Sequence, residues 1–368
     1  MKLVANLKLT PTPAQERALR LTLERCNKAC NWLSERAWES QMFRQYDLHK
    51  LTYQDLRAQF QLSAQVAVRC IAKVADAYKL NQKTKHTFRK HAAQPYDDRI
   101  LRFVCDEKVS LWLLCGREKI GYTCGDHQRK LLEYRKGEVD LMFVRSQWYL
   151  AAVCDFDDPK LLTPEGMLGV DFGIVNIATD SLGERHCGAK VQAYRERYAK
   201  RRATLQRLGT RAAKRCLRHI SGRQKRFQKY ENHCISKRIV SLAERSRLGI
   251  GLENLKHIRA RVKANKAQRK RLHNWGFAQL RAFIEYKAKR AGVPVVIVDP
   301  RNTSRECPAC GRIDKANRPT QSEFRCVECG HSNHADHNAA GNIARRAAVT
   351  QPMFAHKCAP CAVESRML

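Results

Sequence analysis

The chain has 368 residues, enough for two or three domains, and 70 Lys and Arg against 35 Asp and Glu leave a formal net charge of +35. That excess excludes the ordinary soluble metabolic enzyme, whose charges nearly balance, and points to a polyanionic partner, nucleic acid before an anionic membrane. A hydrophobic content of 43% excludes a disordered basic tail.

Residues 2–9 alternate as a strand. Thr12, Pro13 and Gln15 then write a helix start, with N-cap, first-turn proline and the third residue of a capping box. Leu19, Leu23, Cys26, Cys30, Leu33 and Ala37 follow on one helical face, and helical character continues through Tyr53–Phe60 and Val66–Leu80, so residues 12 to about 90 read as mostly helical. Over 100–155, short runs rich in Val, Tyr, Phe, Trp and Leu (Val109–Cys115, Lys119–Tyr122, Asp140–Arg145, Gln147–Cys154) predict antiparallel strands of a small barrel or sandwich. Asp155–Pro164 is a polar linker.

From 166 onward the order carries information. MLGVDFG and IVNIATD are two strands, with a third over 185–191. A long basic helical region covers 192–245. A strand (Leu248–Glu253), a basic loop (254–272), a helix (Trp275–Ala291), a strand (Val293–Asp299), a Cys-rich insert (303–333) and a last helix (336–347) complete the chain. Three strands, helix, strand, helix, strand, helix is the element order of the RNase H-like nuclease fold.

Three carboxylates fall at telling places in that order. Asp171 ends the first strand, Glu253 ends the fourth, and Asp336 starts the last helix. A single Asp after an apolar strand is ordinary turn chemistry, and Asp336 is also placed to N-cap its helix. Together, at the joined ends of neighbouring parallel strands, they would repel one another unless a cation neutralised them. Oxygen ligands suit Mg²⁺ or Mn²⁺, and two ions about 4 Å apart serve phosphodiester hydrolysis.

Of the 16 Cys, Cys307, Cys310, Cys326 and Cys329 form CxxC…CxxC with fifteen residues between the pairs, the spacing of a zinc ribbon holding one structural Zn²⁺. Gly311 and Gly330 follow each pair as knuckle turns. His331 and His334 are not expected to be ligands, and Cys358 and Cys361 form a loose pair in the tail. The many other single thiols read as reduced and intracellular, the N-terminus lacks an apolar signal core, and no apolar run spans a membrane. From Lys190 to Arg271 there are 27 Lys and Arg against four acids, an imbalance that i,i+4 ion pairs cannot absorb and a phosphate backbone can. Arg223, Lys225 and Arg226 are the candidate contacts in this tract. Tyr194, Tyr198, Phe227 and Tyr230 interleave with it and are expected mostly in the core.

GVDFGIVNIATD, GLENL, TSRECPACG, FRCVECG and ADHNAAGNIA resemble, in order and spacing, the C-terminal half of the OrfB/TnpB proteins of bacterial insertion sequences. KLTPTPAQERALRLTLERCNKACNWL resembles that family's N-terminal helical segment. The resemblance implies a RuvC-type, RNA-guided DNA endonuclease related to type V CRISPR effectors. Asp171, Glu253 and Asp336 would be its catalytic Mg²⁺ triad and the four Cys its zinc site. Its partners would be a guide RNA from the transposon end and double-stranded target DNA, in the bacterial cytoplasm. The implied domains are a wedge barrel (1–10 and 93–160) split by a helical recognition segment (11–92), a RuvC domain (165–302 and 334–347), a zinc ribbon that binds target nucleic acid (303–333) and a flexible tail (348–368). His337 departs from the family, where an aliphatic residue is frequent. Two rivals share these motifs: a non-cleaving RNA-guided repressor, disfavoured by the intact triad, and a guide-free structure-specific nuclease, which would not need the N-terminal segments and ribbon.

Overall fold

A computed structural model describes residues 1–104, 107–255 and 276–350. The basic loop expected at 254–272 falls almost entirely outside the described residues, as do Trp275, Cys358 and Cys361. The chain divides into two units, Met1–Asp157 and Asp158–Leu368, with the boundary inside the expected linker.

In the first unit, β1 (Lys2–Thr10) buries Ala5, Leu7 and Leu9, the alternate residues its pattern marks. The chain then enters α1 (Pro13–Ser40) through the expected capping box: Gln15 N–H donates to Thr12 Oγ1 at 3.3 Å and Thr12 N–H to Gln15 Oε1 at 3.1 Å. α2 (Gln45–Phe60) and α3 (Ala64–Leu80) pack on its buried stripe. Helix ends at Leu80, not near 90. Polar side chains of α1 hold the following segment extended: Asn31 exchanges hydrogen bonds with the Phe88 backbone at 2.7 and 3.0 Å, and Ser34 donates to His86 O at 2.6 Å.

Six more strands follow: β2 (Gln94–Tyr96), β3 (Leu101–Val104), β4 (Lys108–Leu113), β5 (Gly116–Thr123), β6 (Arg135–Val144) and β7 (Gln147–Asp155), with a helix the pattern did not announce, α4 (Asp126–Leu132), between β5 and β6. The sheet is antiparallel throughout, in the order β2-β6-β7-β1-β5-β4-β3. Its two edges, β2 and β3, are consecutive in sequence. The five steps from Tyr96 to Leu101 span at most about 18 Å, whereas the outer strands of a flat seven-stranded sheet lie about 29 Å apart. The sheet therefore curls until its edges meet, and Tyr96 OH donates to Trp112 O on β4 at 3.1 Å across the closure.

The second unit is built on a five-stranded sheet. Its strands are β8 (Gly166–Asp171), β9 (Asn176–Asp180), β10 (Arg185–Cys187), β11 (Leu248–Glu253) and β12 (Val295–Val298), in the order β10-β9-β8-β11-β12. β8, β11 and β12 run parallel, while β9 pairs antiparallel with both β8 and β10. β10 stops at Cys187 rather than at 191, because Gly188 sits against the Val175 carbonyl and opens a helix. The expected single helical region is three helices, α5 (Ala189–Leu208), α6 (Arg211–Ile220) and α7 (Arg223–Arg245). Gly209 (φ +63) and Gly222 (φ +74) break it, each taking the left-handed backbone that a side chain disfavours.

α7 and α8 (Phe277–Ala291) cover one sheet face, where Leu168, Val170, Ile250 and Leu252 meet Ile239, Ala243, Leu280 and Ile284. α9 (Ala335–Thr350) covers the other through Ile343 and Ala347, and it carries the last helix three residues beyond its expected end. The inserted segment contains a short hairpin of β13 (Glu323–Arg325) and β14 (Ser332–His334).

Candidate functional site

Strand period two decides where the carboxylates go. On the α9 face, β8 reads Gly169-x-Asp171 and β11 reads Gly251-x-Glu253, and Gly169 and Gly251 are register partners. α9 lies directly on this glycine pair. A Cβ at Gly169 would sit 2.0 Å from Ala340 O and 2.4 Å from Ala344 N; one at Gly251 would sit 2.8 Å from Ala347 Cβ. The close approach brings Asp336, in the first turn of α9, beside the ends of β8 and β11. Asp171, Glu253 and Asp336 thus line one cleft of about 400 Å³, with Asn176, Thr303 and Arg318.

The electrostatics are those of crowded like charges. Burial first, then Glu253 and Asp336, push the Asp171 carboxyl up to about 8, against the pull of Arg318. Burial also raises Glu253, opposed by a hydrogen bond from Thr303. Thr303 Oγ1 donates to Glu253 Oε1 at 2.5 Å, and both residues are buried. Asp336 does not cap its helix. His334 Nδ1 accepts the Asp336 N–H at 3.3 Å, which leaves the carboxylate to accept from Asn176 Nδ2 at 2.9 Å and to face Arg318 at 3.8 Å. His337 ties α9 to the turn after β9, its Nε2 lying 3.1 Å from Ser181 O.

Sequence reasoning missed Asn176, Thr303 and Arg318 as site residues. Thr303 stands inside the quoted motif TSRECPACG, but nothing in one sequence says that it faces Glu253. The loop bearing it is gripped by the polar face of α9. Asn342 donates to Thr303 O at 2.9 Å and to Glu306 O at 2.8 Å; Arg346 donates to Asp299 O at 3.0 Å and Arg301 O at 2.7 Å, and pairs with the Glu306 carboxylate.

The four cysteines converge. Cys307 and Cys329 sulfurs are 3.5 Å apart, as are those of Cys310 and Cys326, and all four lie within 4.8 Å of one another. A zinc tetrahedron with Zn–S of about 2.3 Å has edges of about 3.8 Å, so the donor set fits. The two knuckles repeat: Cys307 N–H donates to Arg312 O at 2.9 Å and Cys326 N–H to His331 O at 2.8 Å, each around a glycine. Buried Asn317 joins them, donating to Arg305 O and Arg312 O and accepting from Val327 N at 2.9 Å. The next residue is Arg318, so the insert delivers a cation to the carboxylate cleft. Neither His331 nor His334 belongs to the sulfur set.

The candidate nucleic-acid residues Arg223, Lys225 and Arg226 share the first turn of α7. Arg223 Nη2 meets His219 Nε2 at 2.6 Å, Arg226 reaches Ser221 O at 3.5 Å, and Lys225 is exposed. Of the interleaved aromatics, Tyr198 is buried and Tyr194 stacks on both Tyr198 (4.6 Å) and Phe227 (4.2 Å), joining α5 to α7, whereas Tyr230 is exposed. No helix among the described residues is long and apolar enough to cross a membrane.

A family model described as "Cas12f1-like, TNB domain" matches residues 277–343, from α8 through the cysteine insert into α9. The chain is 33% identical over 220 residues to the CRISPR-associated endodeoxyribonuclease Cas12f1 of Sulfoacidibacillus thermotolerans, covering 54% of this chain and 50% of that protein. It is 37% identical over 144 residues to a TnpB-like protein of Methanocaldococcus jannaschii, covering 38% of this chain and 51% of that one. The chain therefore spans about half the length of the curated relatives it matches. A solved Cas12f1–sgRNA–target DNA complex aligns over 90% of this chain and 83% of that one, with a TM-score of 0.58 at 14% identity, a likeness of fold.

Proposed function

We propose that this chain, related to the TnpB-like and Cas12f proteins, is an RNA-guided DNA endonuclease encoded by a transposable element. The observation that carries the chemistry is the convergence of Asp171, Glu253 and Asp336 in one cleft, at the ends of two parallel strands and the start of α9. The 3-2-1-4-5 strand order with an antiparallel second strand supports the RNase H-like, RuvC-type assignment for 165–302 and 334–347. The curled seven-stranded sheet, interrupted after β1 by three helices, supports a wedge barrel split by a recognition segment. The cysteine insert fits one structural Zn²⁺.

The all-oxygen donor set and the crowding that raises Asp171 fit two Mg²⁺ ions, with Mn²⁺ as a substitute. When bound, such ions supply Lewis acidity and a water of lowered pKa. The chain's own residues do the rest. Thr303 and Asn176 fix the postures of Glu253 and Asp336 through hydrogen bonds. Arg318 places a guanidinium where negative charge builds on the phosphate, and it partly offsets the carboxylates meanwhile. The basic tract around Arg223, Lys225 and Arg226 binds the nucleic-acid backbone. Guide pairing reads sequence, while the protein reads shape and a short flanking motif.

The test separates chemistry from binding. Asp171→Ala is expected to abolish plasmid cleavage in Mg²⁺ while guide-RNA and target affinities stay within about twofold in gel shifts, because the backbone contacts lie elsewhere. Retained cutting would overturn the assignment. RNA copurifying with the wild type separates this reading from a guide-free nuclease.

A further inference from the structure

Between α5, α6 and the start of α7 lies a cavity of about 610 Å³, apart from the carboxylate cleft. Its floor is apolar, with Tyr198 and Ile220 buried. Arg202, Gln206, Gln224 and Lys225 also line it, and no Asp or Glu does. Arg202, Gln206, Gln224 and Lys225 make no side-chain hydrogen bond or ion pair among the described residues. Four uncommitted polar side chains thus line one cavity.

Each part of the cavity answers one part of a nucleotide. An apolar floor suits the face of a base, amides carry the donor and acceptor that a base edge needs, and two cations suit a phosphate. The volume lies within the range of small-molecule pockets and is far larger than an inorganic anion requires. An acidic peptide would satisfy the cations but leave the floor and the amides unmatched.

We propose that this cavity takes a single nucleotide of a bound strand, its base on the Tyr198–Ile220 floor with an edge on Gln206 and Gln224, and its phosphate between Arg202 and Lys225. The inference rests on nucleic-acid binding by the basic tract and adds base recognition to it. The strand is either the RNA or the DNA, which share this chemistry and which the test distinguishes.

The probes are fluorescein-labelled ten-nucleotide homopolymers of A, C and U as RNA, and of A, C and T as DNA. Binding to the full chain is followed by anisotropy across a salt series. One base held by stacking and two amide contacts is expected to spread the affinities by about fivefold or more. The double variant Gln206→Leu with Gln224→Leu leaves the charge unchanged. It is expected to bring the affinities within about twofold at an unaltered salt slope. A spread confined to the RNA series assigns the nucleotide to the guide; one present in DNA assigns it to the target. Should the double variant lose its fold by circular dichroism, Gln224→Asn, which only draws the amide back by one carbon, is expected to narrow the spread in the same direction. Equal wild-type affinities, or a spread that survives the substitutions, would overturn the proposal. A salt slope near zero in the wild type would instead overturn binding by the basic tract.

Discussion

Asp171 is held by its neighbours in a state it would not choose in water. Its carboxyl is pushed up to about 8 from an ordinary 3.8, so the folded, metal-free protein keeps a proton there that the unfolded chain releases. A group with a raised folded value contributes stability that is complete below the unfolded value and is lost as pH rises toward the folded one. The metal-free protein should therefore melt at progressively lower temperature between pH 4 and pH 8. The rise in melting temperature on adding Mg²⁺ should grow over the same window, because the cation replaces the proton. Asp171→Asn should flatten both trends in a thermal-melt series. Thr303 acts on the neighbouring ligand. Thr303→Val keeps shape and removes the donor to Glu253, and loss of a hydrogen bond behind a metal ligand typically costs about 10-fold or more in affinity. Calorimetric Mn²⁺ titration should show that loss, with Thr303→Ser restoring most of the affinity. A purely space-filling Thr would leave Thr303→Val at the wild-type affinity.

At the scale of elements, α9 is the part that assembles the cleft. Its alanine face meets the Gly169–Gly251 pair, its first turn carries Asp336, and its polar face clamps the loop that bears Thr303. Gly169→Ala would place a methyl 2.0 Å from the Ala340 carbonyl oxygen, a helix backbone atom that cannot rotate aside, so α9 must lift. Overpacking of this kind costs about 1–3 kcal/mol. The variant is expected to melt several degrees lower and also to bind Mn²⁺ more weakly, since Asp336 rides on the displaced helix. An unchanged Mn²⁺ titration would show that α9 does not set the site. The cysteine insert works similarly as an element: its fold turns on Asn317 between the knuckles, and that residue's neighbour is Arg318.

For the whole molecule the governing quantity is charge. A net +35 destabilises any compact state through self-repulsion, and a polyanion that binds it relieves that cost. Guide-RNA affinity should accordingly fall by several decades between low and moderate salt, with a log–log slope of about −0.7 to −0.9 per phosphate engaged. Replacing Arg223, Lys225 and Arg226 together by Gln should make that slope shallower by up to about three contacts' worth. Identical slopes for wild type and triple variant would move backbone binding away from the start of α7.

Local rules made much of this protein legible in one dimension. The capping box at Thr12, the alternation in β1, the apolar runs of β8 and β11 and the knuckle spacing of the four cysteines are short-range devices, and each stands where its pattern placed it. The carboxylate positions at strand ends were legible for the same reason, and the Gly-x-Asp and Gly-x-Glu spacing that seats α9 was there to be read. What only the tertiary structure decided was which distant residues meet. Helix ends at Leu80 because Asn31 and Ser34 of α1 hold the chain extended, and the three-residue β2 finds its place only by pairing with β6. Thr303 meets Glu253 across fifty residues, and Arg318 reaches Asp336 from the far side of a knuckle. Periodicity fixes a side chain's face on its own element, but a hydrogen bond between elements depends on the packing distance between them, and here that distance rests on glycines too small to hold α9 away.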